Sequence, residues 1–261
     1  LMDYFSLSFI DALKELCQKT GVHFPEEQSF INSTPESMRQ HQVRSDHIKL
    51  LLEAARFYRS RLASDSDAIS YLKKRGISGQ VAAKFHLGYA GNSWNSLKEV
   101  FSDYEDNSDL FLVGLIKKSE SGNKVFDRFR NRIIFPIFNK NGEVIAFGGR
   151  TIVDDSNAPK YLNSPETDLF VKSKELYGFF DAQRFIAKSQ FVIVVEGYFD
   201  VISMHQAGFK NTVGTLGTAL SSSHFLQLER IGREIIFMFD GDAAGKRAAW
   251  RAAQVVLANL N

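Results

Sequence analysis

Apolar residues recur at helical spacing in the first third of the chain. The pattern predicts amphipathic helices at residues 8–16, 47–62 and 68–76, the last of them closed by Gly76. Residues 24–44 are mostly polar and contain two prolines, so we interpret most of this stretch as a linker, although Thr34-Pro35-Glu36 can start a short helix. The first third is therefore expected to hold helices separated by a polar connection.

A different pattern begins near Val125. β-Branched and aromatic runs at residues 132–138 and 144–149 flank Asn139-Lys140-Asn141-Gly142, in which the Asn-Gly pair favours a β-hairpin. Asn163-Ser164-Pro165-Glu166 then predicts the start of a helix. This region is expected to mix strands with helices.

The last quarter alternates between short apolar runs and helical patterns. The predicted strands are residues 191–195, 212–216 and 234–239, and the predicted helices are residues 199–207, 222–231 and 245–260. Near-continuous apolar strands that alternate with helices indicate a mostly parallel sheet covered on both faces. The predicted fold is an α+β subdomain followed by an α/β subdomain with a mostly parallel sheet.

Composition narrows the class of protein. The apolar fraction of 44% and the charged fraction of 24% are typical of a globular protein, and no apolar run is long enough to cross a bilayer. Cys17 is the only cysteine, which excludes an internal disulfide and a Cys-rich zinc site and fits a reducing cytoplasm. The six histidines form no i, i+4 pair, so a histidine metal site is not expected, and we interpret His205 and His224 as helix-surface residues.

Acidic residues follow two of the predicted strands. Glu196 and Asp200 come after the first strand of the last quarter, and Asp240 and Asp242 come after its third strand. The carboxyl ends of parallel strands line the ligand crevice of an α/β sheet, and Gly241 lets both aspartates face one ion. Carboxylate oxygens without His or Cys select Mg²⁺ or Mn²⁺. Solvated loop acids at strand ends are the alternative interpretation.

Basic residues are concentrated upstream of these acids, although the net charge is only +2. If the segment is a strand, Arg128, Arg130 and Arg132 share one face, which is costly unless a polyanion or acidic partners cover it. A Gly-Gly pair before Arg150 permits close backbone approach, and the lysines near Tyr161 suit phosphate contact combined with base stacking. A solvated strand face is the alternative for the three arginines.

Two sets of motifs resemble known families. Glu196-Gly197-Tyr198-Phe199-Asp200 followed by Asp240-Gly241-Asp242 resembles the Toprim signature, which DnaG-type primases share with topoisomerases, some nucleases and a recombination mediator. The arginine segment, Phe147-Gly148-Gly149-Arg150 and Pro159-Lys160-Tyr161-Leu162-Asn163, in this order, resembles the RNA-polymerase core of bacterial DnaG-type primases. The likeness covers nearly the whole chain, from about residue 7 to the end.

The resemblance to the primases implies roles for individual residues. It implies that the catalytic metal-site acids are Glu196, Asp240 and Asp242, with Asp200 a weaker addition, and that two or more Mg²⁺ or Mn²⁺ ions bind there. It places Arg128, Arg130 and Arg132 in the family's basic motif. It implies nucleic-acid or nucleotide contacts by Arg75, Arg150, Lys160, Tyr161, Asn163 and Lys172.

The same resemblance implies a domain organisation and a set of partners. Residues 1–45 would end a preceding module and form a linker, residues 46–185 an N-terminal α+β subdomain, and residues 186–261 an incomplete Toprim subdomain. The partners would be a single-stranded DNA template, nucleoside triphosphates and the RNA primer, at the nucleoid in the bacterial cytoplasm. The family's zinc-binding module and its helicase-binding region would lie beyond the two ends of this chain. No zinc site and no membrane association are expected within it.

The implied reaction is attack of a primer 3′-hydroxyl on the α-phosphate of a nucleoside triphosphate, with release of pyrophosphate. Metal ions held by the acids would assist, with Glu196 serving either as a ligand or as a proton shuttle. Two alternatives stay open at this point. One is another Toprim enzyme, either a nuclease or a topoisomerase with Tyr198 or Tyr161 as nucleophile. The other is a non-catalytic module that binds single-stranded DNA without a metal effect.

Overall fold

The structure is a computed structural model that describes residues 35–119, 122, 124–153 and 158–259. The chain forms two compact units, Leu1–Ser45 and Asp46–Asn261. Helix α1, Pro35–Ser64, begins in the first unit, of which the structure describes residues 35–45. The helix predicted at residues 8–16 lies outside the described residues.

Helix α1 is longer than the sequence pattern indicates. The predicted linker at residues 24–44 is wrong from Pro35 onward, where the polar stretch is helical. Proline suits the first turn of a helix, and the glutamate, glutamine and arginine residues that follow have a high helix propensity despite their polarity. Residues 36–45 are mostly exposed, so this part of α1 is a solvated helix.

The second unit begins with an α+β subdomain. Helix α2, Ser66–Lys74, follows the N-cap Asp65 and confirms the prediction at residues 68–76. Short elements come next: α3 Gly79–Lys84, β1 Gly88–Tyr89, a 3₁₀ helix Ser96–Glu99, α4 Ser108–Leu112, β2 Ile116–Lys118 and β3 Val125–Asp127. Strands β2 and β3 form an antiparallel pair.

The predicted hairpin forms the centre of an antiparallel sheet. Strand β4, Arg132–Phe138, pairs with β5, Val144–Thr151, and Gly142 in their connection has a φ of +83°, a conformation that favours glycine. Strand β6, Tyr161–Asn163, adds to β5, so the strand order is β1-β4-β5-β6. The hairpin prediction is confirmed.

The prediction that a helix starts at Asn163 is wrong. The side-chain amide of Asn163 donates to the Leu216 carbonyl oxygen at 2.8 Å, and its Oδ1 accepts from the Tyr198 hydroxyl at 2.7 Å. The Ser164 hydroxyl accepts from the Phe147 N–H at 3.0 Å. Because tertiary contacts occupy both polar side chains, neither caps a helix, and the chain continues in turns.

The last part of the chain is an α/β subdomain with a parallel sheet. Its elements, in order, are α5 Phe179–Ser189, β7 Phe191–Val195, α6 Tyr198–Gln206, β8 Thr212–Gly214, α7 Ser222–Glu229, β9 Glu234–Phe237 and α8 Ala243–Asn259. Strands β8 and β9 both pair in parallel with β7, which gives the order β8-β7-β9. The predicted alternation and the predicted fold class are confirmed, although β8 and β9 end earlier than the apolar runs indicate.

One buried core joins the antiparallel sheet to helix α6. Phe135 of β4 stacks on Tyr198 with ring centroids 4.7 Å apart, and it meets Phe199 edge-on at 5.2 Å. Tyr177 contacts both Phe135 and Tyr198. This packing fixes the β4–β5 hairpin against the helix that follows Glu196.

No helix among the described residues is long and apolar enough to cross a membrane.

Two histidines are buried, so their interpretation as helix-surface residues is wrong. His205 is 4% exposed, and its Nε2 lies 2.9 Å from the Thr212 carbonyl oxygen. His224 is fully buried, with its Nε2 3.1 Å from the carbonyl oxygens of Lys172 and Glu175. Each ring serves as an internal hydrogen-bond donor to the backbone, a role that helical periodicity does not reveal.

Candidate functional site

Parallel pairing of β7 with β9 brings two of the predicted acids together. Glu196 directly follows β7, and its Oε1 accepts a hydrogen bond from the Asp240 backbone N–H at 2.9 Å. Met238 extends the pairing beyond β9 by donating to the Val194 carbonyl oxygen at 2.9 Å. The contact arises because the carboxyl ends of neighbouring parallel strands share one edge of the sheet.

Asp242 is the N-terminal cap of α8. Its Oδ1 accepts hydrogen bonds from the backbone N–H groups of Ala244 and Gly245, both at 2.8 Å. A carboxylate is favoured there because the N-terminus of a helix carries partial positive charge. Gly245 packs directly on the Asp240 backbone, since a Cβ at Gly245 would lie 2.1 Å from the Asp240 carbonyl oxygen. The turn between β9 and α8 is therefore tightly closed.

Asp200 lies in the first turn of α6, close to Asp240. Partial desolvation raises the pKa of the Asp200 carboxyl, a hydrogen bond from the Gly197 backbone lowers it, and the negative charge of Asp240 raises it. Such repulsion between the two carboxylates requires them to be near one another. Glu196, Asp200, Asp240 and Asp242 are together called the acidic edge below.

The acidic edge matches a magnesium ion closely in its donor atoms and less closely in the arrangement of its side chains. Its carboxylates are hard oxygen donors, and none forms an ion pair with a described Lys or Arg. Glu196 and Asp242 each use one carboxylate oxygen on backbone N–H groups, which leaves the other available. Within the described parts of the chain, no three His, Cys, Asp or Glu side chains converge as a metal site. Mg²⁺ tolerates this, since it keeps several waters and needs only one or two carboxylates.

Arg150 and Arg75 flank aromatic side chains. The Arg150 Nε donates to the Tyr71 hydroxyl at 3.1 Å, and the Arg150 guanidinium lies 4.9 Å from the Tyr161 ring centroid. Arg75, at the C-terminus of α2, lies 5.5 Å from the Tyr71 ring and 5.4 Å from the Phe199 ring. Cation–π attraction therefore orients both guanidinium groups.

Tyr161 connects these basic residues with the acidic edge. Burial raises the pKa of the Tyr161 hydroxyl, the charges of Arg150 and Arg75 lower it, and the charge of Asp200 raises it. All three charged groups must lie near the Tyr161 ring to act in this way. The structure thus brings Arg75, Arg150 and Tyr161 to the same region as one member of the acidic edge.

The three arginines of the basic segment do not share a strand face. The backbone between β3 and β4 is irregular, and Asn131 has a φ of +51°. Arg128 donates to the Asn163 carbonyl oxygen at 2.8 and 3.1 Å. Arg132 is 5% exposed and donates to the Gly149 carbonyl oxygen at 3.3 Å. The shared-face prediction is wrong because the left-handed residue interrupts the alternation and each guanidinium has its own partner within the protein.

The remaining predicted contact residues have different surroundings. The Arg130 guanidinium lies 3.4 Å from the centroid of the Trp94 ring. The Lys160 side chain is exposed, and the ammonium groups of Lys160 and Lys172 form no ion pair with the described residues. Asn163 is held between Tyr198 and Leu216, as described above, so it connects β6 to the α/β subdomain.

Sequence reasoning missed Tyr71 and Arg251. Tyr71 stands one helical turn before Arg75, and this i, i+4 spacing is the signal by which it could have been found. Arg251 of α8 and Glu196 both line a cavity of about 280 Å³. Thr215, Gly217 and Thr218, from the turn after β8, line the same cavity. No local sequence signal distinguishes Arg251 from the other basic residues of α8.

Two domain families match the chain. Residues 57–183 match the family described as DNA primase catalytic core, N-terminal domain, and residues 190–261 match the Toprim domain. The Toprim domain of primases is a metal-binding fold, in agreement with the donor chemistry of the acidic edge.

DNA primases are also similar to the chain over its full length. The DNA primase of Pseudomonas putida is 42% identical over 264 residues, which cover 100% of this chain and 39% of that protein. The DNA primase of Legionella pneumophila is 43% identical over 262 residues, which cover 100% of this chain and 43% of that protein. The chain thus spans about two fifths of the length of these relatives.

Solved primase structures share the fold. A DNA primase domain from Pseudomonas aeruginosa has a TM-score of 0.77 and 44% identity, covering 82% of this chain and 68% of that one. A DnaG primase catalytic domain bound to single-stranded DNA has a TM-score of 0.75 and 37% identity, covering 83% and 68%. From these similarities and the two domain matches, we conclude that the chain belongs to the DnaG primase catalytic-core family.

Proposed function

We propose that this chain is the catalytic core of a DNA primase, which synthesises short RNA primers on single-stranded DNA. The observation that carries the proposal is the contact between two strand ends, where the Asp240 N–H binds Glu196 Oε1 at 2.9 Å. It supports a common centre for the acids of β7 and β9. The single-stranded DNA bound to a similar catalytic domain supports the assignment of the template.

In this proposal, the acidic edge is the catalytic centre. Glu196, Asp240 and Asp242 would hold two or more Mg²⁺ or Mn²⁺ ions, with Asp200 a weaker ligand, and these ions would supply charge neutralisation at the reacting phosphate. The primer 3′-oxygen bonds to the α-phosphorus of the nucleoside triphosphate, the bond to the bridging oxygen breaks, and pyrophosphate leaves. The unoccupied carboxylate oxygen of Glu196 can bind an ion or accept the hydroxyl proton.

The basic residues bind and orient the phosphates. Arg150 is already held by Tyr71 and Tyr161, so little side-chain freedom is lost when a phosphate binds. Lys160 and Lys172 offer ammonium groups without a carboxylate partner among the described residues. We assign these three cations to the triphosphate or to the template backbone, as charge-assisted hydrogen-bond donors.

The other predicted contact residues have supporting roles. Arg75 adds positive charge beside Tyr71 and Phe199. Arg128 and Arg132 are engaged by backbone carbonyls, so we assign them to positioning β6 and to the local positive field. Asn163 orients Tyr198 through their hydrogen bond.

The structure disfavours a covalent topoisomerase mechanism at Tyr198. This residue is 5% exposed, and its hydroxyl donates to Asn163 Oδ1 at 2.7 Å. Burial also raises the pKa of the hydroxyl, which keeps it protonated at neutral pH. A nucleophile that attacks DNA needs an accessible oxygen.

Further partners belong to the same proposal. The RNA primer is the product, and a zinc-binding module and a replicative helicase are partners that primases of this family employ. We place the protein in the bacterial cytoplasm at the nucleoid, because the template is there.

Replacement of Asp240 tests the proposed function. We expect Asp240→Ala in the full-length enzyme to lower primer synthesis about 100-fold or more, because it removes charge that acts at the reacting phosphate. The fold should persist, since the exposed side chain forms no hydrogen bond with the described residues and the N–H that binds Glu196 is kept. Ribonucleotide incorporation on single-stranded DNA measures the activity, and thermal unfolding measures the fold.

Asp106→Ala is the matched control. Asp106 is an exposed acid in the turn before α4. We expect its replacement to leave primer synthesis unchanged. Primer yield near the wild-type level from folded Asp240→Ala enzyme would refute the assignment of the acidic edge.

A further inference from the structure

A cavity of about 320 Å³ lies between helix α1, the β4–β5 hairpin and helix α5. Ala55 of α1, Phe138 and Val144 of the hairpin and Phe180 of α5 give it apolar walls. Neither the acidic edge nor the predicted contact residues contribute to its lining. The turn that borders it is at the opposite end of the β4–β5 ladder from Arg150. We call it the hairpin cavity, and its size is within the range of small-molecule sites, roughly 300–1,000 Å³.

Two aromatic rings of the hairpin cavity are held in place by the hairpin turn. The Phe138 and Phe180 ring centroids are 6.3 Å apart. A Cβ on Gly142 would lie 2.6 Å from Phe180 Cζ, so the Phe180 ring packs directly on the turn. The Gln183 side-chain amide donates to the Lys140 carbonyl oxygen at 3.1 Å, which fastens α5 to the same turn. Phe180 is nevertheless 41% exposed, so part of a fixed aromatic wall is open to a ligand.

Two arginines of α1 provide positive charge at the hairpin cavity. Arg56 and Arg59 both line it, and their i, i+3 spacing places them on one face of the helix. Both residues are exposed, and neither forms an ion pair with a carboxylate of the described residues. The Arg59 Nη1 lies 3.5 Å from His86 Nδ1, which leaves its other N–H groups available. The two guanidinium groups can therefore receive an anion together.

Among the described residues that line the hairpin cavity, Asp181 is the only acid. Burial raises the pKa of its carboxyl, whereas the charges of Lys84, His86 and Arg184 lower it. These groups must lie near the carboxylate to act in this way. The negative charge of Asp181 is thus offset from within the protein, and the two α1 arginines keep their charge for a ligand.

His86 adds a strained residue to the wall of the hairpin cavity. Its φ is +52°, and it follows α3 where the Leu87 N–H binds the Ala82 carbonyl oxygen at 2.9 Å. This hydrogen bond is typical of helices that end with a left-handed residue, which is usually glycine. A side chain in this conformation is strained, and such residues are concentrated at ligand sites. Here the strain places an imidazole beside Arg59 and 5.4 Å from the Phe138 ring centroid.

We propose that the hairpin cavity binds a small planar aromatic anion, with its ring against Phe138 and Phe180 and its anionic group on Arg56 and Arg59. A carboxylate and a phosphate share this chemistry, since a guanidinium group binds either with paired hydrogen bonds. Apolar walls with a few convergent polar groups are the usual composition of a small-molecule site. The inference is independent of the proposed function, because no residue of the acidic edge takes part.

Three naphthalene compounds test the ligand class on the whole chain. Isothermal titration calorimetry with 1-naphthoate and with 1-naphthyl phosphate should show saturable binding at one site. Neutral 1-naphthalenemethanol should bind about tenfold more weakly or less, because it cannot form charge-assisted hydrogen bonds with the arginines. The anion with the higher affinity identifies the anionic group that the cavity prefers.

Substitutions locate the binding site. Arg56→Gln and Arg59→Gln should each weaken binding of the anions about fivefold or more and leave the binding of 1-naphthalenemethanol unchanged. Phe180→Leu should weaken all three compounds, and Phe180→Tyr, which keeps the ring, should restore their affinity. Circular dichroism melts check that each variant is folded.

Lys73→Gln is the matched control. It removes one positive charge from an exposed residue that lines a second cavity, of about 360 Å³, which Arg59 also borders. We expect the wild-type affinity for both anions. Weaker binding by Lys73→Gln with wild-type binding by Arg56→Gln would place the compounds in the second cavity and overturn the proposal.

The remaining outcomes separate this inference from the proposed function. Loss of anion binding by Arg56→Gln, with primer synthesis at the wild-type level in the full-length enzyme, supports a separate site. Absence of saturable binding by the wild-type chain, or anion binding that neither arginine substitution weakens, overturns the hairpin cavity as a ligand site. Both results leave the test of Asp240 unaffected.

Discussion

Burial and hydrogen bonding fix the protonation state of His224. Its Nε2 donates to the Lys172 and Glu175 carbonyl oxygens at 3.1 Å, and its Nδ1 accepts from the Ser221 N–H at 3.3 Å. Burial lowers the pKa of the ring, although the two carbonyl oxygens raise it. The neutral ring ties α7 to the segment that carries Lys172, so a buried side chain sets the place of a proposed phosphate contact.

His205 leads to a prediction about pH. Burial lowers its folded-state pKa from the ordinary 6.5 to about 4, so the unfolded state binds more protons than the folded state at intermediate pH. The contribution of the neutral His205 ring to the free energy of unfolding is therefore fully present above about pH 6.5 and is lost as the pH falls toward 4. We expect acidification from neutral pH to about pH 4.5 to lower the urea midpoint more for the wild type than for His205→Gln. The glutamine amide can still donate to Thr212 but does not titrate.

The change in urea midpoint between the two pH values isolates the contribution of the His205 ring. Both proteins carry the same acids, and the direct effect of the replacement cancels when each protein is compared with itself. An equal loss of stability in the two proteins would contradict a neutral, buried His205.

At the scale of elements, the approach of β5 to helix α6 depends on Gly148. A Cβ on Gly148 would lie 2.3 Å from Tyr198 Cζ, and Tyr198 cannot retreat because it stacks on Phe135 at 4.7 Å. We expect Gly148→Ala to lower the free energy of unfolding by about 1–3 kcal/mol through overpacking. Urea unfolding measures the loss.

Gly79→Ala is the control for this substitution. Gly79 has an ordinary φ, and nothing lies within 4 Å of the position of its Cβ. Because alanine favours a helix more than glycine does, we expect α3 to be unaffected or stabilised by up to about 1 kcal/mol. A Gly148→Ala protein as stable as the Gly79→Ala protein would show that β5 and α6 can move apart freely.

Elements with a strong local signal were predictable from the sequence. The Asn-Gly turn defined the hairpin, and the alternation of apolar strands with helices defined the parallel sheet, which in turn predicted that Glu196 and Asp240 would meet. The basic segment was not predictable in detail. Its path depends on the left-handed Asn131 and on carbonyl partners from distant strands, which no local pattern encodes.

At the scale of the whole molecule, charge is separated rather than in excess. The net charge is only +2, yet the arginines of the antiparallel sheet lie near one another, and so do the acids that follow β7 and β9. A small net charge gives little long-range attraction for DNA. Any affinity for the template must therefore come from the local positive field, and it should depend on where a cation is placed.

Two lysines at opposite ends of one hairpin test this dependence on position. The Lys160 carbonyl oxygen accepts a hydrogen bond from the Thr151 N–H, which places Lys160 beside Arg132 at one end of the β4–β5 ladder. Lys140 lies in the connecting turn at the other end of the ladder, about 20 Å away along the strand. Both side chains are exposed, so either can be replaced by alanine without disturbing the core. The two variants carry the same net charge and differ only in where it was removed.

The salt dependence of binding distinguishes the two lysines. Each phosphate contact on single-stranded DNA adds about 0.7 to the slope of log affinity against log salt concentration. We therefore expect Lys160→Ala to bind oligothymidylate more weakly at low salt, with a slope smaller by about 0.7, while Lys140→Ala keeps the wild-type slope. Anisotropy titrations at several salt concentrations measure both quantities. Equal slopes for the two variants would mean that the template follows a path away from Lys160, because net charge alone cannot tell the two positions apart.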